Sequence, residues 1–143
     1  MYQYTGKRFF NHQVPLGVTI GYGGNRGAVP AHTHDFVELV FILRGSTIHT
    51  IRFTNGDKVS YGLFPGDIFA IQPGESHGYH NSQNVYYYNI VFSPELIGTE
   101  LPVLKRLPAY DALFDTVRLP RNKVHLPLHE RNFAVDCLQR IIG

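Results

Sequence analysis

A chain of 143 residues, 43% of them hydrophobic, suits one domain with a real core and excludes a disordered polypeptide. Charged residues make up 17%, below the roughly 25% of ordinary soluble domains, and the net charge is only +2 with Lys and Arg scattered, which leaves no electrostatic footprint for nucleic acid. Cys137 is the single cysteine and excludes an internal disulfide; with no signal-like start and no apolar run of membrane-spanning length, a cytoplasmic domain away from membranes is expected.

Residues 1–13 are polar and aromatic and read as an arm or edge strand. The segment 14–23 (VPLGVTIGYG) has the β-branched residues of a strand, and 23–31 (GGNRGAVPA) reads as a loop. From Phe36 to Leu43 the chain is apolar except for Glu38, too short and too β-branched for a helix. Gly45 reads as a break, after which 46–53 (STIHTIRF) alternates as a half-buried strand does.

Asn55-Gly56-Asp57 predicts a hairpin, because Asn and Gly tolerate the positive φ of tight turns, and 58–64 returns antiparallel. Pro65-Gly66-Asp67 turns into 68–72, Pro73-Gly74-Glu75 turns again, and 85–92 (VYYYNIVF) closes the β region. Strands recurring about every ten residues with turn chemistry between them indicate a barrel or sandwich.

Ser93 as N-cap and Pro94 at the first helical position start a helix. Pro102, Pro108, Pro120 and Pro127 then keep elements short, up to a last helix over HERNFAVDCLQRIIG. Ala134, Leu138, Ile141 and Ile142 fall on one stripe of it, Glu130, Arg131 and Arg140 can face water, and Cys137 reads as a packed thiol. Apolar residues so near the end predict either further chain or burial of the stripe against a second subunit.

The chemistry-bearing residues come in two blocks. His32, His34 and Glu38 lie in HTHDFVELVFILRG, and His77 in PGDIFAIQPGESHGYHN. Imidazole nitrogens with a carboxylate are the donor set of a divalent transition metal. On an extended chain residues two apart share a face, so His32, His34 and Glu38 line one side. A carboxylate amid Phe36, Val37, Leu39, Val40 and Phe41 is costly unless a cation or hydrogen-bond donors satisfy it. The bland alternative is a hydrogen-bonded polar cluster inside the barrel.

Arg52, Tyr79 and Asn81 are expected to point into the barrel and hydrogen-bond a ligand, although Asn81 equally suits a turn. His12, His49, His80, His125 and His129 have no partner spacing and read as surface residues. Tyr86, Tyr87 and Tyr88 read as strand packing, one ring in and two out.

These blocks resemble the two defining blocks of the cupins, with His32, His34, Glu38 and Gly45 in the first and Gly66, Pro73, His77 and Asn81 in the second. The resemblance implies a mainly β fold, a double-stranded β-helix or jelly-roll barrel, with C-terminal α-helices. HTHDFVELVFILRGS, YGLFPGDIFAIQPGESHGYH and YYYNIVFSPEL are further similar to the effector-binding N-terminal domains of AraC-type transcription regulators.

That likeness implies a cupin barrel with its arm over 1–93 and a helical dimerisation region over 94–143. It also implies a small polar effector such as a sugar, a homodimer through the C-terminal helix, and DNA contacted only by a domain outside this chain. The effector site would comprise His32, His34, Glu38, His77, Arg52 and Tyr79. The first three histidines named and Glu38 would be ligands for one divalent ion (Zn, Ni, Mn or Fe). The alternative implied by the wider cupin likeness is a freestanding metal-dependent enzyme, a dioxygenase or sugar isomerase.

Overall fold

The computed structural model describes residues 2–4, 16–24, 28–95 and 123–142. In chain order the strands are β1 (Tyr2–Tyr4), β2 (Leu16–Gly24), β3 (Ala28–His34), β4 (Val37–Arg52), β5 (Lys58–Leu63), β6 (Asp67–Ile71), β7 (Ser76–Phe92) and β8 (Val124–His125), followed by helix α1 (Leu128–Ile142). They join in the order β1-β3-β7-β4-β6-β8, with β2 also on β7 and β5 also on β4. Among the described residues only the β1–β3 pairing is parallel. This is the expected β-barrel of the cupin type.

Its frame is one long ribbon. β4 and β7 run antiparallel from Val37 opposite Phe92 to Arg52 opposite Ser76, with register shifts between Ile42 and Ile48. At those shifts Gly45 has φ +75, while Asn81 and Asn84 on the facing strand have φ 54 and 48. A Cβ on Gly45 would stand 2.2 Å from the Gln83 carbonyl oxygen, so glycine is required where the strands press together. The expected break at Gly45 is therefore a bend within a continuous strand, which is how β-ladders turn corners.

The bend hands each strand to a second partner. Glu38–Phe41 of β4 pair with β6, and Thr47–Arg52 pair with β5. In β7, His77–His80 pair with β3 and Val85–Phe92 with β2. Wrapped this way, the ribbon encloses Val40, Ile42, Ile51, Phe53, Leu63, Phe69 and Ile71. The segment read as a loop over 23–31 is strand from Ala28, because its backbone finds β7 far along the chain. The Asn55-Gly56-Asp57 hairpin forms as expected, with Gly56 at φ +95.

Among the described residues the tail is tied to the barrel through both β8 and α1. β8 pairs with β6, and buried Asp67 accepts from Lys123 Nζ (2.7 Å) and the Phe64 N–H (2.7 Å) and lies 2.8 Å from His125 Nδ1. Leu138 of α1 packs on Val37, Ile90 and Phe92. At Leu138 the apolar stripe of α1 thus rests on this chain's own barrel. Leu128 (66% exposed) and Phe133 (73%) face outward instead. Pro94 and Glu95 are helical, as the Ser93 cap predicts. His12, residues 96–122 and the side chains of Ile141 and Ile142 lie outside the described residues.

Candidate functional site

β3 ends at His34, the chain bends at Asp35 and Phe36, and β4 begins at Val37. The bend turns Glu38 back toward His34. His77, near the start of β7, sits opposite His32 of β3 and Ile51 of β4. Because the β4–β7 ribbon folds over, these three strand ends meet. One donor atom from each of His34, Glu38 and His77 lies within 4.8 Å of the others, and all three residues are buried.

The hydrogen bonding there is incomplete. His34 Nδ1 is 2.7 Å from the Phe36 carbonyl, which only accepts, so Nδ1 carries the proton and donates. In a neutral ring this leaves His34 Nε2 as a bare lone pair, 2.9 Å from Glu38 Oε2. His77 Nε2 is 3.6 Å from the same oxygen. Neither Nε2 has an aligned hydrogen-bond partner, although both are buried.

Electron pairs converging on a buried carboxylate call for a cation among them. Two donors each about 2.1 Å from one ion sit roughly 3 to 3.5 Å apart, and the observed 2.9 and 3.6 Å bracket that spacing. The residues fit a divalent ion.

Burial holds the His77 imidazole well below its ordinary ionisation range, helped by His49, His32 and His34 nearby, so the ring stays neutral as a ligand must. Burial likewise pushes the Tyr79 phenol well up, with the Glu38 carboxylate adding to it, so Tyr79 remains a hydrogen-bond donor. Both residues line a cavity of about 220 Å³ that also takes in His32, His34 and Glu38. Phe36, Val40, Ile42 and Val85 give it apolar walls; Thr47, Ser82 and Asn89 add polar groups. Asn89 Oδ1 is buried there without a partner. A chamber mainly apolar with a few converging polar groups is the usual make-up of a small-molecule site.

The residues expected from sequence divide as follows. His34, Glu38, His77 and Tyr79 come together. His32 lines the cavity, its Nδ1 3.0 Å from the Pro30 carbonyl and its ring 4.4 Å from that of His77. It is not among the three residues whose donor atoms lie within 4.8 Å of one another.

Arg52 is corrected outright. It is exposed at the end of β4 and donates to the Gly56 carbonyl at 3.2 Å, because alternation sends Ile51 and Phe53 inward. Asn81 is an exposed positive-φ bend residue, the second of its two readings. Of the tyrosines, two are covered rather than one: Tyr87 lines the cavity, Tyr88 is buried and Tyr86 is exposed.

Asn89 and His49 were missed. His49 is fully buried, its Nε2 3.0 Å from His77 Nδ1 and its Nδ1 3.0 Å from the Tyr61 hydroxyl. Its strand parity with Ile51 and Phe53 was the available signal. His125, also read as unpartnered, bonds Asp67.

Known proteins bear on these features. RhaR, an HTH-type transcriptional activator of Escherichia coli, is 32% identical over 81 residues, which are 57% of this chain and 27% of RhaR. The Shigella flexneri RhaR matches to the same extent, so the chain spans 27% of the length of these relatives. Among solved structures, Bacillus subtilis oxalate decarboxylase superposes with TM-score 0.50 at 20% identity, over 55% of this chain and 21% of that one. A vicilin from Solanum melongena does so with TM-score 0.51 at 19% identity, over 57% and 22%.

At such identities the structural likeness carries the barrel fold alone. Among the described residues no helix is long and apolar enough to cross a membrane. The profile described as the AraC-like ligand binding domain matches residues 4–121, and the chain belongs to that family.

Proposed function

We propose that the chain is the effector-sensing part of a transcription regulator and that a small polar metabolite, a carbohydrate by preference, binds in the cavity beside His34, Glu38 and His77. The observation that carries this reading is the pair of buried, unpartnered Nε2 atoms of His34 and His77 turned toward one carboxylate within a ligand-sized chamber. His32 and Tyr79 contribute hydrogen bonds from the cavity wall; Arg52, outside it, does not.

His34, Glu38 and His77 would hold the divalent cation. When bound, it supplies a Lewis-acidic anchor for ligand oxygens. The function is recognition, with no bond made or broken, in keeping with the family match rather than with the enzymes that share the fold.

Signalling requires only that the ligand favour one of two arrangements of the domain. β4 offers a short route, because Glu38 faces the cavity while its neighbour Val37 faces Leu138 of α1. In this reading residues 1–93 sense, residues 94–143 dimerise through the helix, and a domain outside this chain contacts DNA.

A thermal-shift screen of sugars, with and without Zn2+, Ni2+, Mn2+ or Fe2+, tests the proposal. A true effector at a hundred times its Kd adds about 2.7 kcal/mol of stability, and Glu38→Gln loses that gain. A stabilising compound that acts equally on Glu38→Gln binds elsewhere and contradicts the site.

A further inference from the structure

His49 is a buried polar group that ligand binding leaves unexplained. It sits on β4 directly opposite Tyr61 of β5 and Tyr79 of β7. Its ring is fixed among Phe69 (centroids 4.4 Å apart), Tyr79 (5.0 Å) and His77 (5.2 Å). It has no exposure at all, so its two ring nitrogens must be satisfied by protein. They are: Tyr61 Oη, His49 and His77 form one chain with two links of 3.0 Å.

Each neutral imidazole has one N–H, so the chain can run in only two directions. If His49 Nε2 donates to His77, the proton of His77 moves to Nε2, where no aligned acceptor waits. If His77 Nδ1 donates to His49 Nε2, His49 Nδ1 in turn donates to Tyr61, every N–H is used, and His77 Nε2 is left as a lone pair toward Glu38. The second direction satisfies every buried N–H of the chain, whereas the first leaves the His77 Nε2–H without an aligned acceptor, at the cost of an unmade buried hydrogen bond.

We propose that His49, backed by Tyr61, is a positioning residue that accepts the Nδ1 proton of His77 and so presents its Nε2 lone pair to a cation shared with His34 and Glu38. This rests on reading those three residues as a cation site. Outer partners of metal-bound histidines commonly take the N–H opposite the metal, fixing ring and tautomer together. His49 differs from a carboxylate or carbonyl in that role: it passes the polarity on to a phenol at the half-buried edge of β5.

Nitrogen-15 NMR of the full chain, first with chelator and then with Co2+ or Zn2+, reads the tautomer of His77 directly. The expected result is Nδ1–H in both states of the wild type. In His49→Phe the Nδ1–H tautomer is no longer held and Co2+ affinity, followed by visible absorption, drops 10- to 100-fold. His49→Gln, which keeps an acceptor, recovers most of both. Tyr61→Phe gives a smaller loss.

An Nε2–H tautomer in the chelated wild type overturns the proposal, even if His49→Phe fails to fold. So does a folded His49→Phe that keeps both the tautomer and the affinity. If the wild type takes up neither ion, the cation site falls, yet the tautomer still decides whether His49 positions His77.

Discussion

At the scale of single residues, the molecule concentrates imidazoles where water is excluded, and this has a pH consequence. Folded His77 resists protonation because it is buried and beside His49, His32 and His34. The unfolded ring protonates near pH 6.5, so below that pH the unfolded state binds the additional proton. The contribution is therefore fully present above about pH 6.5 and is lost as pH falls from there toward the depressed folded value. Urea denaturation of the chelated protein between about pH 5 and 7.5 should show stability falling toward acid. His77→Gln should flatten that slope, and an unchanged slope would place the acid sensitivity elsewhere.

The donor types at the centre were readable from local spacing, since His-x-His and a carboxylate in an apolar run demand a partner. What spacing could not reveal was which pair of histidines Glu38 would join. That depends on the bend at Asp35 and Phe36, which gives His34 to the triad and leaves His32 at its side. His49 escaped notice for a related reason, its partner His77 being 28 residues away.

At the scale of elements, turn chemistry was legible because Asn55-Gly56 and the Pro-Gly pairs act within four residues. Long-range pairing was not. β3 has loop composition and becomes a strand only through β7, and Gly45 looked like a stop because its cross-strand neighbours lie nearly forty residues on.

Gly45→Ala must accept both positive φ and a Cβ 2.2 Å from the Gln83 carbonyl oxygen, and should cost about 2 kcal/mol or more. Gly56→Ala, at φ +95 but in open space, should cost about 1 kcal/mol. Chemical denaturation of the two variants side by side checks the difference; equal losses would mean that the ribbon does not need its close approach at Gly45.

Asp67 is the corresponding anchor for the tail. Its carboxylate is 1% exposed, while Lys123 and His125 are 29% and 56% exposed at the side chain, so the surface partners contribute little and the buried acceptor much. Asp67→Ala should cost about 2 to 3 kcal/mol by leaving the Phe64 N–H and Lys123 without their acceptor. It should also speed amide exchange at Leu126, whose N–H donates to Gly66. Unaltered exchange there would show that β8 is held by other contacts.

At the scale of the whole molecule, sensing in a barrel becomes useful only if the helix feels it, and α1 rests on the outer side of the strand that carries Glu38. Leu138→Glu should detach the helix from Val37, Ile90 and Phe92 and lower the melting temperature. Phe133→Glu, on a residue 73% exposed, should leave folding intact. If α1 is the proposed dimer seam, light scattering will find Phe133→Glu shifted toward monomer, whereas an unchanged mass would assign the seam to another surface.

The fold class, the barrel and the family were legible across the chain because turns, alternation and the two histidine blocks agree with one another. The helix's own partner was not, because an apolar stripe does not say which apolar surface it will cover.

The account turns on three side chains sharing one ion at the cavity wall, and anomalous diffraction from crystals grown in Zn2+ and recorded on both sides of the zinc edge tests it most directly. The predicted result is a single strong peak about 2.0 to 2.2 Å from His34 Nε2, His77 Nε2 and a Glu38 carboxylate oxygen. No peak among those atoms at saturating zinc, or zinc bound only at surface histidines such as His129, would contradict it.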